Sequence, residues 1–118
     1  MPRTLEEVWP TPSRTHLETA VARLVAAFDP LQVRVFGSYA RGDAHPGSDL
    51  DLLVVLPHVD HKREAAIAMR RVLADLPVPH DVYVTTPADI EERGWIVGTL
   101  LHEALEDGEV VYERQEVA

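Results

Sequence analysis

Asp49 and Asp51 flank Leu50 at the entrance to the apolar run Leu52-Leu53-Val54-Val55-Leu56. Residues two apart in a strand point to the same face. The spacing therefore sets two carboxylates side by side and turns Leu50 toward a core. Like charges this close raise each other's pKa unless a cation compensates. Hard oxygen donors suit Mg²⁺, which binds few carboxylates and leaves the rest of its shell to water and substrate phosphates. Chance acids at a solvated strand end are the competing explanation, and it fits poorly because Asp51 sits inside the strand.

Two other pieces can converge on that pair. Gly37-Ser38 directly follows the short β-rich run Val33-Arg34-Val35-Phe36. A glycine there lets backbone amides approach a ligand, and a helical turn after it would aim free N–H groups outward. Ser38 adds a hydroxyl donor. Alone, Gly-Ser after a strand is ordinary turn chemistry, and no Gly-Lys-Ser/Thr follows to make a Walker-type loop. The third piece is Asp81, which opens the alternating run His80 to Thr85 and faces the same way as Tyr83. If the strands of Asp51 and Asp81 are neighbours, three carboxylates can hold two ions. One ion would grip a triphosphate and one would activate the attacking oxygen. Asp81 would help to take the acceptor hydroxyl's proton. Arg41, in the loop after Ser38, has two readings: it neutralises a triphosphate, or it pairs with Asp43.

The elements that must position these groups can be read along the chain. Thr15 and Glu18 make a capping-box pattern, and Leu17, Val21, Leu24, Val25 and Phe28 form one helical stripe that Asp29-Pro30 closes. Val33 to Phe36 is a strand, and residues 37–49 are mostly turn, with one helical turn near Ser38–Arg41. Asp49 to Leu56 has the signature of a buried central strand ended by Pro57. A second amphipathic helix spans about Lys62 to Leu76, broken by Pro77 and Pro79, and His80 to Thr85 is a third strand. Thr86-Pro87 starts another helix, interrupted at Gly94 and C-capped by Gly108. Glu109 to Glu113 adds a last short strand. The fold class is α/β (α+β), with helices mainly on one face of a small mixed sheet. The division is an irregular arm at 1–13, a domain at 14–114 and a tail at 115–118. Trp9 is expected to tuck the arm against the body.

Composition bounds the rest. One domain suits 118 residues, and 46% hydrophobic with 26% charged residues is ordinary globular balance. With no cysteine, disulfides and thiolate chemistry are excluded. The net charge of −9 repels a phosphate backbone, so broad nucleic-acid binding is not expected. No apolar run is long enough to cross a bilayer. Met1 to Glu7 has no apolar core and does not read as a signal peptide, which makes cytoplasmic the default location.

Gly37-Ser38, a ten-residue spacer and Asp49-Leu50-Asp51 resemble the signature of the polymerase-beta-type nucleotidyltransferase superfamily. The segment Phe36 to Val54 is similar to the minimal nucleotidyltransferases of prokaryotes, and His80-Asp81-Val82-Tyr83-Val84 matches the later strand that carries the family's third acid. The likeness extends over residues 15–114, including the end from Ala104 to Arg114; the arm at 1–13 lies outside it. Tyr39 replaces a residue that is often basic in relatives. The resemblance implies a polymerase-beta-type core with Asp49, Asp51 and Asp81 as its acids, to which the residue readings add Mg²⁺, two ions in all, and Gly37, Ser38 and, in one of its two readings, Arg41 on the nucleotide. It further implies an antitoxin that transfers AMP from ATP to a tyrosine of a cognate HEPN-type RNase toxin. The rivals are a non-catalytic antitoxin that masks its partner, and a transferase acting on a small molecule or on a tRNA end, the last disfavoured by the acidic surface. The sequence is compatible with a homo-oligomer or a hetero-complex and does not choose between them.

Other polar residues read as structural. Ser48 caps a turn. His45 is solvent-exposed, and His58, Asp60 and His61 form a solvated connection. His16 and His102 sit on helices without a chemical role, and Glu91 and Glu92 are charged helix surface. Trp95, Ile96 and Leu100 are either core or a docking face.

Overall fold

The computed structural model describes residues 8–115. Met1 to Glu7, with the expectation about a signal segment and most of the arm, and residues 116–118 of the tail lie outside the described residues. In chain order the elements are α1 (Arg14–Phe28), β1 (Gln32–Phe36), α2 (Ser38–Arg41), β2 (Leu50–Val55), α3 (Lys62–Val72), β3 (His80–Thr85), α4 (Pro87–Arg93), α5 (Leu100–Asp107) and β4 (Glu109–Glu113).

The strands form one four-stranded sheet in the order β3-β2-β1-β4. β1 runs antiparallel to both β2 and β4. β2 and β3 are parallel, a pairing that needs a crossover, and α3 supplies it. β2 lies inside the sheet, and Leu52, Leu53, Val54 and Val55 are all buried, as its unbroken apolar run requires.

One face of the sheet carries Val33, Val35, Leu52, Val54, Val82 and Val84 and is covered by Leu17, Ala20 and Leu24 of α1, Met69 of α3 and Leu73 just after α3. The opposite face is covered only in part. There α5 brings Ala104, Leu101 and Leu105 onto Phe36, Leu53 and Tyr83. The mixed sheet with helices mainly on one face is the architecture expected from the sequence. The incompletely covered face is the one that carries Asp51 and Asp81.

Several boundaries differ from the sequence reading, each for a local reason. The cap of α1 is Ser13, not Thr15: its Oγ accepts the His16 amide at 3.3 Å, while His16 Nδ1 accepts the Ser13 amide at 3.1 Å. A histidine ring thus takes the acceptor role that the capping-box pattern reserves for Glu or Gln. Glu18 instead receives the Arg14 guanidinium at 3.0 Å, one turn away. α3 ends at Val72, four residues early, because the chain tightens into i→i+3 bonds from Leu73 to Arg70 and from Leu76 to Leu73. Leu73 and Leu76 stay buried through that tightening. Gly108 does cap α5, but in extended backbone at φ −83°. A Cβ there would lie 2.2 Å from the Ala104 carbonyl oxygen, so the position demands closeness, not a left-handed turn. Trp9 meets the body beside Gly47 and remains half exposed.

Candidate active site

The register of the sheet builds the site. Asp51 pairs with Phe36 across the antiparallel β1–β2 ladder and with Asp81 across the parallel β2–β3 ladder. Residues level with one another in neighbouring strands share a face, so Asp51 and Asp81 stand together on the incompletely covered face. Leu50, between the two first acids, is fully buried on the other side. Asp49 is exposed at the entrance to β2.

Phe36 leads straight into the glycine loop, and that loop closes on Asp51. Gly37 adopts φ +77° and ψ −155°, a region open essentially to glycine alone. A Cβ on Gly37 would sit 2.5 Å from Asp51 Oδ2. Both constraints require glycine at this position. After it, Ser38–Arg41 form the single helical turn α2, whose N-terminus receives no side-chain cap. Amides in a first turn have no intrahelical acceptor, so this turn can offer N–H groups to an anion beside the carboxylates.

Electrostatics mark Asp51 as the pressured member of the cluster. Its pKa is raised to about 6, first by burial, then by the like charges of Asp49, Asp81 and Glu103, with Arg41 opposing. Arg41 also pairs with Asp43 at 3.6 Å. Of its two sequence readings, the loop ion pair is therefore formed, and the guanidinium still acts on Asp51.

Asp81 is differently placed. Its Oδ1 accepts the Val82 amide at 3.0 Å and takes an ion pair from Arg70 of α3 at 2.5 Å. Its Oδ2 accepts the Tyr83 hydroxyl at 3.0 Å. Among the described residues, no three Asp, Glu or His side chains close on one point as a ready-made metal cage. The donor chemistry of Asp49 and Asp51 nevertheless fits a hard divalent cation: they are adjacent carboxylates, and the half-buried one lacks a cationic partner strong enough to hold down its pKa. Asp81 fits such an ion only if Arg70 gives up Oδ1.

Arg70, Tyr83 and Glu103 are the side chains that sequence reasoning did not assign to the site. Tyr83 was within reach, since it shares a strand face with Asp81. Arg70 and Glu103 come from helices whose docking on the sheet leaves no local signal. A groove of about 420 Å³ continues from here between α3 and α5, with Arg70, Ile67, Tyr83, Leu53 and Leu101 in its walls. A larger cavity, about 680 Å³, lies away from the carboxylates between α1 and β4.

The residues set aside behave as structure. Ser48 Oγ accepts the His45 amide at 2.9 Å and closes the turn. His58 pairs with Asp60 in the open. His102 Nδ1 meets the Gly94 carbonyl at 2.8 Å and pins the α4–α5 break. Trp95, Ile96 and Leu100 are exposed.

A small mixed sheet that brings neighbouring carboxylates beside a glycine turn is the frame of the candidate site. The family model described as nucleotidyltransferase domain matches residues 16–110. The chain belongs to that family, and on that ground it is a nucleotidyltransferase. No curated protein matches it. Among solved structures it resembles a candidate nucleotidyltransferase from Sulfolobus solfataricus, with TM-score 0.60, 20% identity and coverage of 85% of this chain and 79% of the other. It also resembles a chain of the toxin–antitoxin MntA–HpeT carrying a point mutation, with TM-score 0.60, 19% identity and coverage of 84% and 73%. A chain of a toxin–antitoxin with AMP-PNP gives TM-score 0.52, 21% identity and coverage of 83% and 74%. At these identities the likeness is one of fold.

Proposed function

We propose that this nucleotidyltransferase is Mg²⁺-dependent and moves AMP from ATP to a protein hydroxyl, a tyrosine of a cognate HEPN-type RNase toxin, and so acts as an antitoxin in the cytoplasm. The catalytic domain is residues 14–114, with an arm at 1–13 and a tail at 115–118. The observation that carries the reading is the closure of Gly37 on Asp51 beside Asp49, level with Asp81. The toxin–antitoxin structures of the same fold, one holding AMP-PNP, support the choice of donor and of acceptor class.

Asp49 and Asp51 would hold the metal, which when bound neutralises phosphate charge and polarises the reacting oxygens. Gly37, Ser38 and Arg41 orient the triphosphate. Asp81 takes the acceptor proton through Oδ2, the oxygen that the Arg70 ion pair leaves alone. The ion pair on Oδ1 is the one feature that favours the rival reading, a binding module that masks its partner without chemistry. A small-molecule acceptor has no comparable support.

The test is incubation of the chain with ATP, MgCl₂ and the protein that co-purifies with it, followed by intact mass. An adenylyl group on a partner tyrosine is expected, and Asp49→Asn or Asp51→Asn should abolish it while the fold persists by circular dichroism. A partner that is inhibited yet unmodified would establish the masking module instead.

A further inference from the structure

Among the described residues, the one hydroxyl hydrogen-bonded to Asp81 belongs to the chain itself. Tyr83 Oη donates to Asp81 Oδ2 at 3.0 Å. The other carboxylate oxygen is occupied by Arg70 and the Val82 amide. Oδ2 is thus the free basic position, and a phenol fills it. The tyrosine ring is also fixed in place: it packs on Phe36 with centroids 5.6 Å apart and planes tilted by 53°. Phe36 is the residue before Gly37, and Asp51, against which Gly37 closes, is level with both Phe36 and Asp81, so the phenol stands on the same sheet face as the site and one strand from Asp51. The ring forms part of the wall of the groove between α3 and α5, on the open side of the sheet.

We propose that Tyr83 is itself an acceptor, and that the chain, without a partner, transfers a nucleoside monophosphate from a nucleoside triphosphate onto its own Tyr83. The proposal rests on the transferase reading above and adds a modification site to it. In the step, Tyr83 Oη forms a bond to the α-phosphorus, and the bond from that phosphorus to the oxygen bridging to the β-phosphate breaks. Pyrophosphate leaves with the bond electrons, and the phenolic proton passes to Asp81 Oδ2. No oxidant or reductant is needed, and the triphosphate is the sole co-reactant. A marked Tyr83 would fill the acceptor position, so each chain reacts once and is then blocked toward external hydroxyls. A partner's hydroxyl must displace Tyr83 to react first.

The experiment uses the full chain with ATP and MgCl₂, read by intact mass and by tandem mass spectrometry of the Tyr83 peptide. One adenylyl group on Tyr83 is expected, gained at a rate constant that does not change on dilution, because donor site and acceptor belong to one chain. Tyr83→Phe, which keeps the packing on Phe36, should gain nothing. A metal-free readout uses 5′-(4-fluorosulfonylbenzoyl)adenosine, whose electrophile takes the place of the phosphates; it should label Tyr83 and be blocked by ATP. Pyrophosphate formed with the co-purified partner, while Tyr83 stays unmarked in the chain incubated alone with ATP and MgCl₂, overturns this proposal and leaves the transferase reading intact. No pyrophosphate with any acceptor overturns both. The same mass gain in Tyr83→Phe, or adenosine labelling that avoids Tyr83, also overturns it.

Discussion

Asp51 carries an electrostatic cost on folding, and the sign of that cost is testable. Folding raises its pKa from an ordinary 3.8 to about 6. A carboxyl raised on folding binds its proton more tightly in the native state. Its contribution to stability is therefore complete below about 3.8 and lost as pH rises through about 6. The full shift would correspond to about 3 kcal/mol, but Asp51 is only half buried and solvent screens it, so about 1 kcal/mol is the reasonable expectation. In metal-free buffer above pH 6, Asp51→Asn should thus be more stable than the parent by about 1 kcal/mol, and the gap should close in acid. Urea titrations of both proteins across that range measure it; a less stable variant at neutral pH would count against the like-charge cluster. Gly37 tests the same spot from the other side. Gly37→Ala forces a side chain into a glycine-only conformation and onto Asp51 Oδ2. A loss of about 1–3 kcal/mol is expected, together with loss of nucleotidyl transfer, read by denaturant unfolding and by intact mass.

At the level of elements, what could be read beforehand followed from patterns confined to a few adjacent residues. β3 emerged with the expected bounds because alternation from His80 to Thr85 is a local property. α4 began where Thr86-Pro87 said it should, with Thr86 Oγ1 accepting the Asp89 amide at 3.2 Å. Thr86→Ala should accordingly cost about 1 kcal/mol, measured as a lowered denaturation midpoint with unchanged slope. The α1 cap was misread because a histidine replaced the usual acidic partner, and α3 was overextended because Leu73 and Leu76 stay buried after helical bonding stops. For the candidate site, the placing of Asp49 beside Asp51 and of Gly37-Ser38 at the end of β1 was legible, since both follow from linear spacing. The place of Asp81 required strand adjacency, which the 51–81 register supplies. Arg70 and Glu103 were not legible, because whether a helical residue reaches the carboxylates depends on how α3 and α5 sit on the sheet. Gly108→Ala probes one such long-range fit: its Cβ would meet the Ala104 carbonyl at 2.2 Å and the Val35 carbonyl at 3.1 Å. Backbone cannot yield there as a flexible side chain could, so the loss should exceed the roughly 0.5–1 kcal/mol of opposite sign that replacing a glycine by alanine contributes elsewhere.

The whole molecule carries a net charge of −9, so any salt should stabilise it somewhat by screening self-repulsion. Mg²⁺ must be separated from that background before a stabilising effect says anything about a site. Screening depends on ionic strength and is shared by all the acids. Binding at Asp49 and Asp51, as proposed, would stabilise only the folded chain, by about 2.7 kcal/mol when the free ion reaches a hundred times its dissociation constant. For a domain of this size each kcal/mol moves the midpoint by roughly 2–8 °C. Against NaCl of equal ionic strength, MgCl₂ should therefore raise the melting temperature by several degrees in the parent. In the Asp49→Asn, Asp51→Asn double variant the two salts should act alike. Asp81→Asn should keep most of the Mg²⁺-specific rise, because Arg70 and Tyr83 already engage its two oxygens. Removing the ion with EDTA should reverse the rise. A double variant that responds to MgCl₂ as strongly as the parent would assign the effect to the acidic surface at large and remove the metal from Asp49 and Asp51.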